Sequence, residues 1–175
     1  MRRSRPGARL LLAASAAIAL LVAGGCYIDI DDHDDDCWVT PVARVVDEGE
    51  VSCIAIWPAY EAEAYVVRSD AEWASFWAAH TGCWGAVPPL PAVDFSLEAV
   101  VAVILNDRPT TGYRLTVDRI YRCDDTLEIR ATETVPGPGC ATTPATTRPY
   151  QILAVERHFD YLYFSRFYRQ TVACP

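Results

Sequence analysis

The sequence predicts a mainly β (α+β) domain: an antiparallel β-sandwich-like fold with one amphipathic helix packed on a sheet. Three observations carry that expectation. Most of the chain after residue 37 falls into short runs rich in β-branched and aromatic residues, several alternating apolar and polar with the period of a sheet that has one wet face. One segment alone breaks that period and opens on a helix-capping pattern. Six cysteines are spread along the same region, an even set of the kind that staples small β domains.

Residues 1–25 read as a secretory signal peptide. Arg2, Arg3, Arg5 and Arg9 precede an apolar run from Leu10 to Ala23, too short for a comfortable membrane span, and small residues follow. The stretch Ala23-Gly24-Gly25-Cys26 resembles the bacterial lipobox, with Ala23 where that motif usually has leucine. The resemblance implies lipidation of Cys26. Residues 26–36 then form an acidic tether: residues 29–36 read DIDDHDDD, and like charges repel and extend a chain. The run lacks the glycine and glutamate spacing of a calcium loop. Residues 37–175 form a single globular domain.

Within it, strands are expected at residues 42–46, 51–57, 65–68, 99–105, 113–121, 126–135, 151–157 and 161–168. Tyr113, Leu115 and Val117 share one face, as do Leu127, Ile129 and Ala131, and Asp124-Asp125 sits between these two strands as a hairpin turn. The run 100–105 is apolar throughout and reads as a central strand covered on both sides. Ser69-Asp70-Ala71-Glu72 is a capping box, after which Trp73, Phe76, Trp77 and His80 fall on one face of a helix ending near Thr81-Gly82. A single helix on a sheet must bury such a stripe, so core packing is the expected role of these aromatics.

Composition narrows the function. The chain of 175 residues has 15 Lys+Arg against 23 Asp+Glu, a net charge of -8, which becomes -12 once the four arginines of residues 1–25 are removed. Such acidity argues against nucleic-acid binding, which rests on neutralising phosphates. If Cys26 carries lipid, then Cys37, Cys53, Cys83, Cys123, Cys140 and Cys174 remain as disulfide candidates, and the 15 possible connectivities stay open. Neither a metal site nor a cofactor motif is present: His80 and Cys83 have no second ligand pair to complete a zinc site, and no nucleophile elbow, P-loop or dinucleotide turn occurs. The expectation is a protein without catalytic residues.

The informative segments are loops. Residues 106–113, 135–140 and 148–150 combine prolines and glycines with Thr110, Thr111, Tyr113, Gly137, Arg148 and Tyr150. Rigid loops lose little entropy on binding, and tyrosine and arginine are favoured at interface hot spots, so these six residues are the candidate partner-binding set. The region from about Val66 to Arg157 resembles the C-terminal domain of the protease complex subunit PrcB. In order, the match comprises a strand, the helix with Trp73 and Trp77, Pro91-Ala92-Val93-Asp94-Phe95, the apolar strand, Pro109-Thr110-Thr111-Gly112-Tyr113, Val135-Pro136-Gly137-Pro138-Gly139 and Arg148-Pro149-Tyr150-Gln151-Ile152. The chain departs from that pattern in its six cysteines and at Thr111, where glycine is usual. The resemblance implies a non-catalytic envelope lipoprotein that associates with a secreted protease and stabilises it or helps it mature: a protein partner, plus a membrane reached through the N-terminal lipid. The three loop signatures are also similar, more weakly, to those of chagasin-type cysteine protease inhibitors. A purely structural envelope lipoprotein is the third reading.

Overall fold

The structure is a computed structural model, and it describes residues 37–39 and 44–174. The expected signal segment 1–25, Cys26 and the acidic run 29–36 lie outside the described residues. Among the described residues ten strands and one helix follow in order: β1 (Cys37–Val39), β2 (Arg44–Gly49), β3 (Ala62–Val67), α1 (Asp70–Thr81), β4 (Glu98–Leu105), β5 (Arg108–Thr110), β6 (Arg114–Cys123), β7 (Thr126–Pro136), β8 (Pro144–Thr147), β9 (Tyr150–Glu156) and β10 (Tyr161–Val172). One sheet has the order β1-β6-β7-β10, a second β2-β9-β4-β3, and β5-β8 form a small ribbon.

The layering follows from β4, which is apolar on both faces. Ala99, Val101, Val103 and Leu105 meet Leu115, Ile120, Leu127, Ile129 and Ala131 of the first sheet, making the sandwich interior. Val100, Ala102 and Ile104 point the other way, onto Trp73 and Trp77 of α1. Helix, sheet and sheet therefore stack as three layers around a doubly buried central strand. Each aliphatic side chain so covered contributes roughly 1.5–3 kcal/mol relative to exposure.

The expected helix is present. Ser69 is extended at the N-cap and its hydroxyl accepts from the Glu72 N–H at 3.3 Å. The Glu72 carboxylate accepts from the Arg68 N–H at 2.8 Å, one residue before the position a reciprocal capping box uses. The outward face is mostly alanine, so the inner face is marked by aromatic bulk more than by polarity contrast. Both indole N–H groups are satisfied, Trp73 by the Pro91 carbonyl at 2.9 Å and Trp77 by the Pro88 carbonyl at 3.1 Å, which pins the 84–95 segment over the helix.

Several expectations need correction. Residues 51–57 form no strand beyond a single bridge from Val51 to Arg148. The backbone donors are drawn elsewhere: Ser52 N–H bonds the Arg148 carbonyl and Cys53 N–H the His80 carbonyl, at 3.0 and 2.9 Å. Residues 108–110, read as loop, pair with residues 144–147 to form the β5-β8 ribbon. The alternation in β6 reverses phase at a bulge between Val117 and Arg119, after which Ile120 faces inward. The Val117 N–H in that bulge donates to the buried Gln151 side chain at 2.7 Å. Finally, β10 runs to Val172 and pairs parallel with β7, the one parallel pair among the described strands. All six candidate cysteines pair, as Cys37–Cys123, Cys53–Cys83 and Cys140–Cys174.

Candidate functional site

The β5-β8 ribbon draws the three candidate loops to one end of the sandwich. Thr110 sits in β5, and its carbonyl accepts from the Thr147 hydroxyl at 2.9 Å. Thr111 is bonded twice to Thr143: its N–H donates to the Thr143 carbonyl at 3.0 Å and its hydroxyl accepts from the Thr143 N–H at 2.9 Å. Gly112 follows with φ +95°, a left-handed conformation that glycine adopts without steric cost, and its N–H donates to the Glu50 carboxylate at 3.1 Å. Glu50 also accepts the Arg148 N–H through its carbonyl at 2.8 Å. The Arg148 guanidinium donates to Asp107 across the first loop. Gly137 is held by its N–H to the Val172 carbonyl at 2.8 Å, and the Cys140–Cys174 disulfide ties the same loop to the end of β10.

Thr110, Thr111, Tyr113, Gly137 and Arg148 are thus brought together. Tyr150 is not: its side chain is 3% exposed, with the hydroxyl donating to Asp47 at 2.9 Å inside the helix-side core. The spacing after Arg148-Pro149 put Tyr150 in a loop, but it is the first residue of β9 and its ring is needed under α1. Burial and the adjacent Asp47 and Glu48 push its phenol well above the ordinary tyrosine range.

Tyr113 is half-buried and lines a cavity of about 340 Å³ with Glu61, Arg108, Glu133, Val135 and Arg169. The charged members form one network. Glu133 is fully buried, and its two oxygens accept from Arg108 Nε and from Arg169 Nε, the latter at 2.8 Å. Glu61 closes the network on the outside, 3.3 Å from Arg108 and 2.9 Å from Arg169. Burial alone would raise the Glu133 carboxyl, but the two guanidinium groups hold it below its ordinary range. Glu133 was missed by the sequence reading, although a signal existed: it is the next inward position after Leu127, Ile129 and Ala131.

Two other places invite a chemical reading. Ser52, His80 and Asp47 come together under α1, but Ser52 and His80 are sealed from solvent and ringed by Trp77, Trp84 and Tyr150, so no substrate reaches them. A cavity of about 470 Å³ lies at the opposite end, beside the β6-β7 hairpin. There Arg68 donates to the Arg157 and Phe159 carbonyls and Arg157 to those of Phe95 and Ser96, so both guanidinium groups brace loops.

Residues 99–156 match the family model described as PrcB C-terminal. Over that segment the chain is similar to the PrcB C-terminal domain. The PrcB-like segment runs from β4 to β9 and so includes the central strand, the ribbon and all three loops, whereas α1 and β10 lie outside it. No curated protein and no solved structure matches the chain.

Proposed function

We propose that the chain is a non-catalytic, protein-binding subunit that docks and stabilises an envelope or secreted protease through the ribbon end. One observation carries this reading. The 106–113 and 148–150 loops, distant in sequence, are cross-braced by Arg148–Asp107 and the two Glu50 contacts. Thr111–Thr143 fixes the first loop further, and the 135–140 loop is tied to the end of β10 by Gly137–Val172 and Cys140–Cys174, while Tyr113 and Arg148 keep part of their side chains in solvent. Bracing of this kind removes the entropy cost of binding before a partner arrives. The PrcB-type segment supplies the protease context. Three disulfides support residence in an oxidising compartment, and the residues ahead of Cys26 support export and lipid anchoring of a domain spanning residues 37–175.

The test is affinity capture from the native envelope with the wild-type chain and with Thr111→Ala, Tyr113→Ala and Arg148→Ala. The expected result is at least tenfold weaker capture of a protease with Tm unchanged. Capture unaffected by all three changes sinks the proposal, as does nanomolar inhibition of the captured protease, which belongs to the chagasin-like reading. Mass spectrometry of the mature N-terminus checks acylation at Cys26.

A further inference from the structure

Residues 85–93 read GAVPPLPAV, nine consecutive positions at or near the surface without one polar side chain. The three prolines fix their own φ at about −65°, and Val87, Pro88 and Leu90, each directly ahead of a proline, are pushed into the extended region. Residues 87–94 accordingly lie in neither helix nor strand. The Pro88 and Pro91 carbonyls accept the Trp77 and Trp73 indole N–H groups at 3.1 and 2.9 Å, so the segment runs back along α1 in the opposite direction. Arg44 adds a third clamp, donating to the Ala92 carbonyl at 3.2 Å. From Pro88 to Ala92 the residues are in turn half-buried, exposed, exposed, half-buried and exposed. A repeat of three is the period of polyproline II, a helix with three residues per turn and no internal hydrogen bonds.

A lid over Trp73 and Trp77 needs one ridge of such a helix, and Pro88 and Pro91 supply it. The other two ridges face solvent: Val87 with Leu90, and Pro89 with Ala92. Val87 is 65% exposed and Leu90 47%. Covering the helix does not require apolar groups on those outer ridges, and contiguous apolar surface of this kind marks interaction sites. Among the described residues the Val87, Pro89 and Leu90 carbonyls accept no hydrogen bond, so the backbone keeps acceptors for a partner.

We propose that residues 87–92 are a docking ligand displayed on the domain's own surface, a preformed polyproline II ridge for a partner protein whose groove is lined by aromatic side chains. The shape selects this occupant. Side chains three apart stand on one ridge, and grooves walled by tyrosine and tryptophan take such ridges while their phenol and indole donors reach the carbonyls. Residues 85–93 carry no charge that would attract nucleic acid or a lipid headgroup. The two indole clamps hold the segment in its bound shape beforehand, which removes ordering entropy from the binding step. This surface shares no residue with the ribbon-end set and does not depend on the function proposed for those loops.

The competitor is the synthetic peptide Ala-Val-Pro-Pro-Leu-Pro-Ala-Val, residues 86–93, which has no aromatic side chain. The full chain is immobilised and the solubilised native envelope is passed over it. The expected result is a retained protein that excess peptide displaces and that Ala-Val-Ala-Ala-Leu-Ala-Ala-Val, without the prolines, does not. Once purified, that protein should bind the peptide with a change in its own tryptophan or tyrosine fluorescence. It should bind the full chain, where the clamps are in place, at least tenfold more tightly than the peptide. Val87→Asp and Leu90→Asp should each weaken its capture at least tenfold with Tm unchanged, since both side chains are exposed. Retention that neither peptide disturbs, equal displacement by both, unchanged capture by Leu90→Asp, or sedimentation showing that the displaced species is a second copy of this chain overturns the proposal. Capture that responds to Tyr113→Ala and Arg148→Ala but never to the peptide overturns it too, while leaving the loop reading in place.

Discussion

The Ser52 hydroxyl lies 3.0 Å from His80 Nδ1, with both residues closed off from solvent. Ser52 Oγ also accepts the Ile54 N–H at 3.2 Å, and which of Ser52 and His80 donates to the other follows the imidazole tautomer. Nε2 faces Asp47 at 3.7 Å, too far for a hydrogen bond, and Phe76, Trp77, Trp84 and Tyr150 surround the ring. Burial lowers the His80 pKa, and the opposing pull of Asp47 does not overcome it. The unfolded chain therefore takes up a proton near pH 6.5 that the folded chain refuses, and stability falls as pH drops from there towards the lower folded value. The slope is at most about 1.4 kcal/mol per pH unit for one group. Chemical denaturation between pH 7.5 and 5 should show this slope in the wild type and a flatter one in His80→Gln.

Glu133 responds in a different window. Its folded pKa is lowered, so the stability it contributes is complete above the unfolded value near 4.5 and disappears as pH falls below it. Glu133→Gln keeps the shape but leaves the nearly buried Arg108 facing a neutral amide, a change expected to cost roughly 3 kcal/mol at pH 7. Arg169 is about half exposed, and Arg169→Ala should cost no more than about 1 kcal/mol, since solvent already screens that contact. Equal losses for the two variants would show that the network is worth less to the fold than its burial implies.

These groups mark where sequence reading worked and where it stopped. The helix, the doubly buried β4 and the β6-β7 hairpin were legible because each depends on local signals: a capping serine, an unbroken aliphatic run, a turn at Asp124 with φ +51°. The parallel seating of β10 was not legible, since its partner is chosen by the sandwich and not by its own alternation. Residues 51–57 look like a strand by composition, yet a disulfide and a helix end claim their backbone. At the candidate site, proline and glycine marked the loops, and the pairing of Glu133 with Arg108 and Arg169 stayed hidden because it exists only across three strands.

The Cys53–Cys83 bond fastens the segment carrying Ser52 to the end of α1, beside the Cys53 N–H to His80 carbonyl bond. The two cysteines are 30 residues apart, a loop for which cross-linking contributes about 3–4 kcal/mol. Replacing both with serine should lower stability by that order. It should also open the His80 site selectively, seen as faster amide exchange at residues 52–54 and 78–84 while β4 and β9 keep their protection. Uniform loss of protection across the domain would contradict this local assignment.

Gly137 was read from sequence as part of the binding set, and its surroundings give it a different task. A Cβ there would stand 2.4 Å from the Val172 carbonyl oxygen, a distance that backbone cannot yield cheaply, and 3.0 Å from the Thr171 methyl. The glycine lets the 136–140 loop lie flat on the end of β10, where its N–H meets the same carbonyl at 2.8 Å. Gly137→Ala should therefore destabilise by about 1–3 kcal/mol through overpacking. Gly112→Ala, where the cost is a positive φ together with a tight 3.3 Å approach to Pro136 Cβ, should lose about 1–2 kcal/mol. Well below its melting temperature, the Gly137→Ala protein should capture its partner with less than a threefold change, in contrast to Tyr113→Ala. A tenfold loss of capture at unchanged Tm would instead return Gly137 to the contact surface itself.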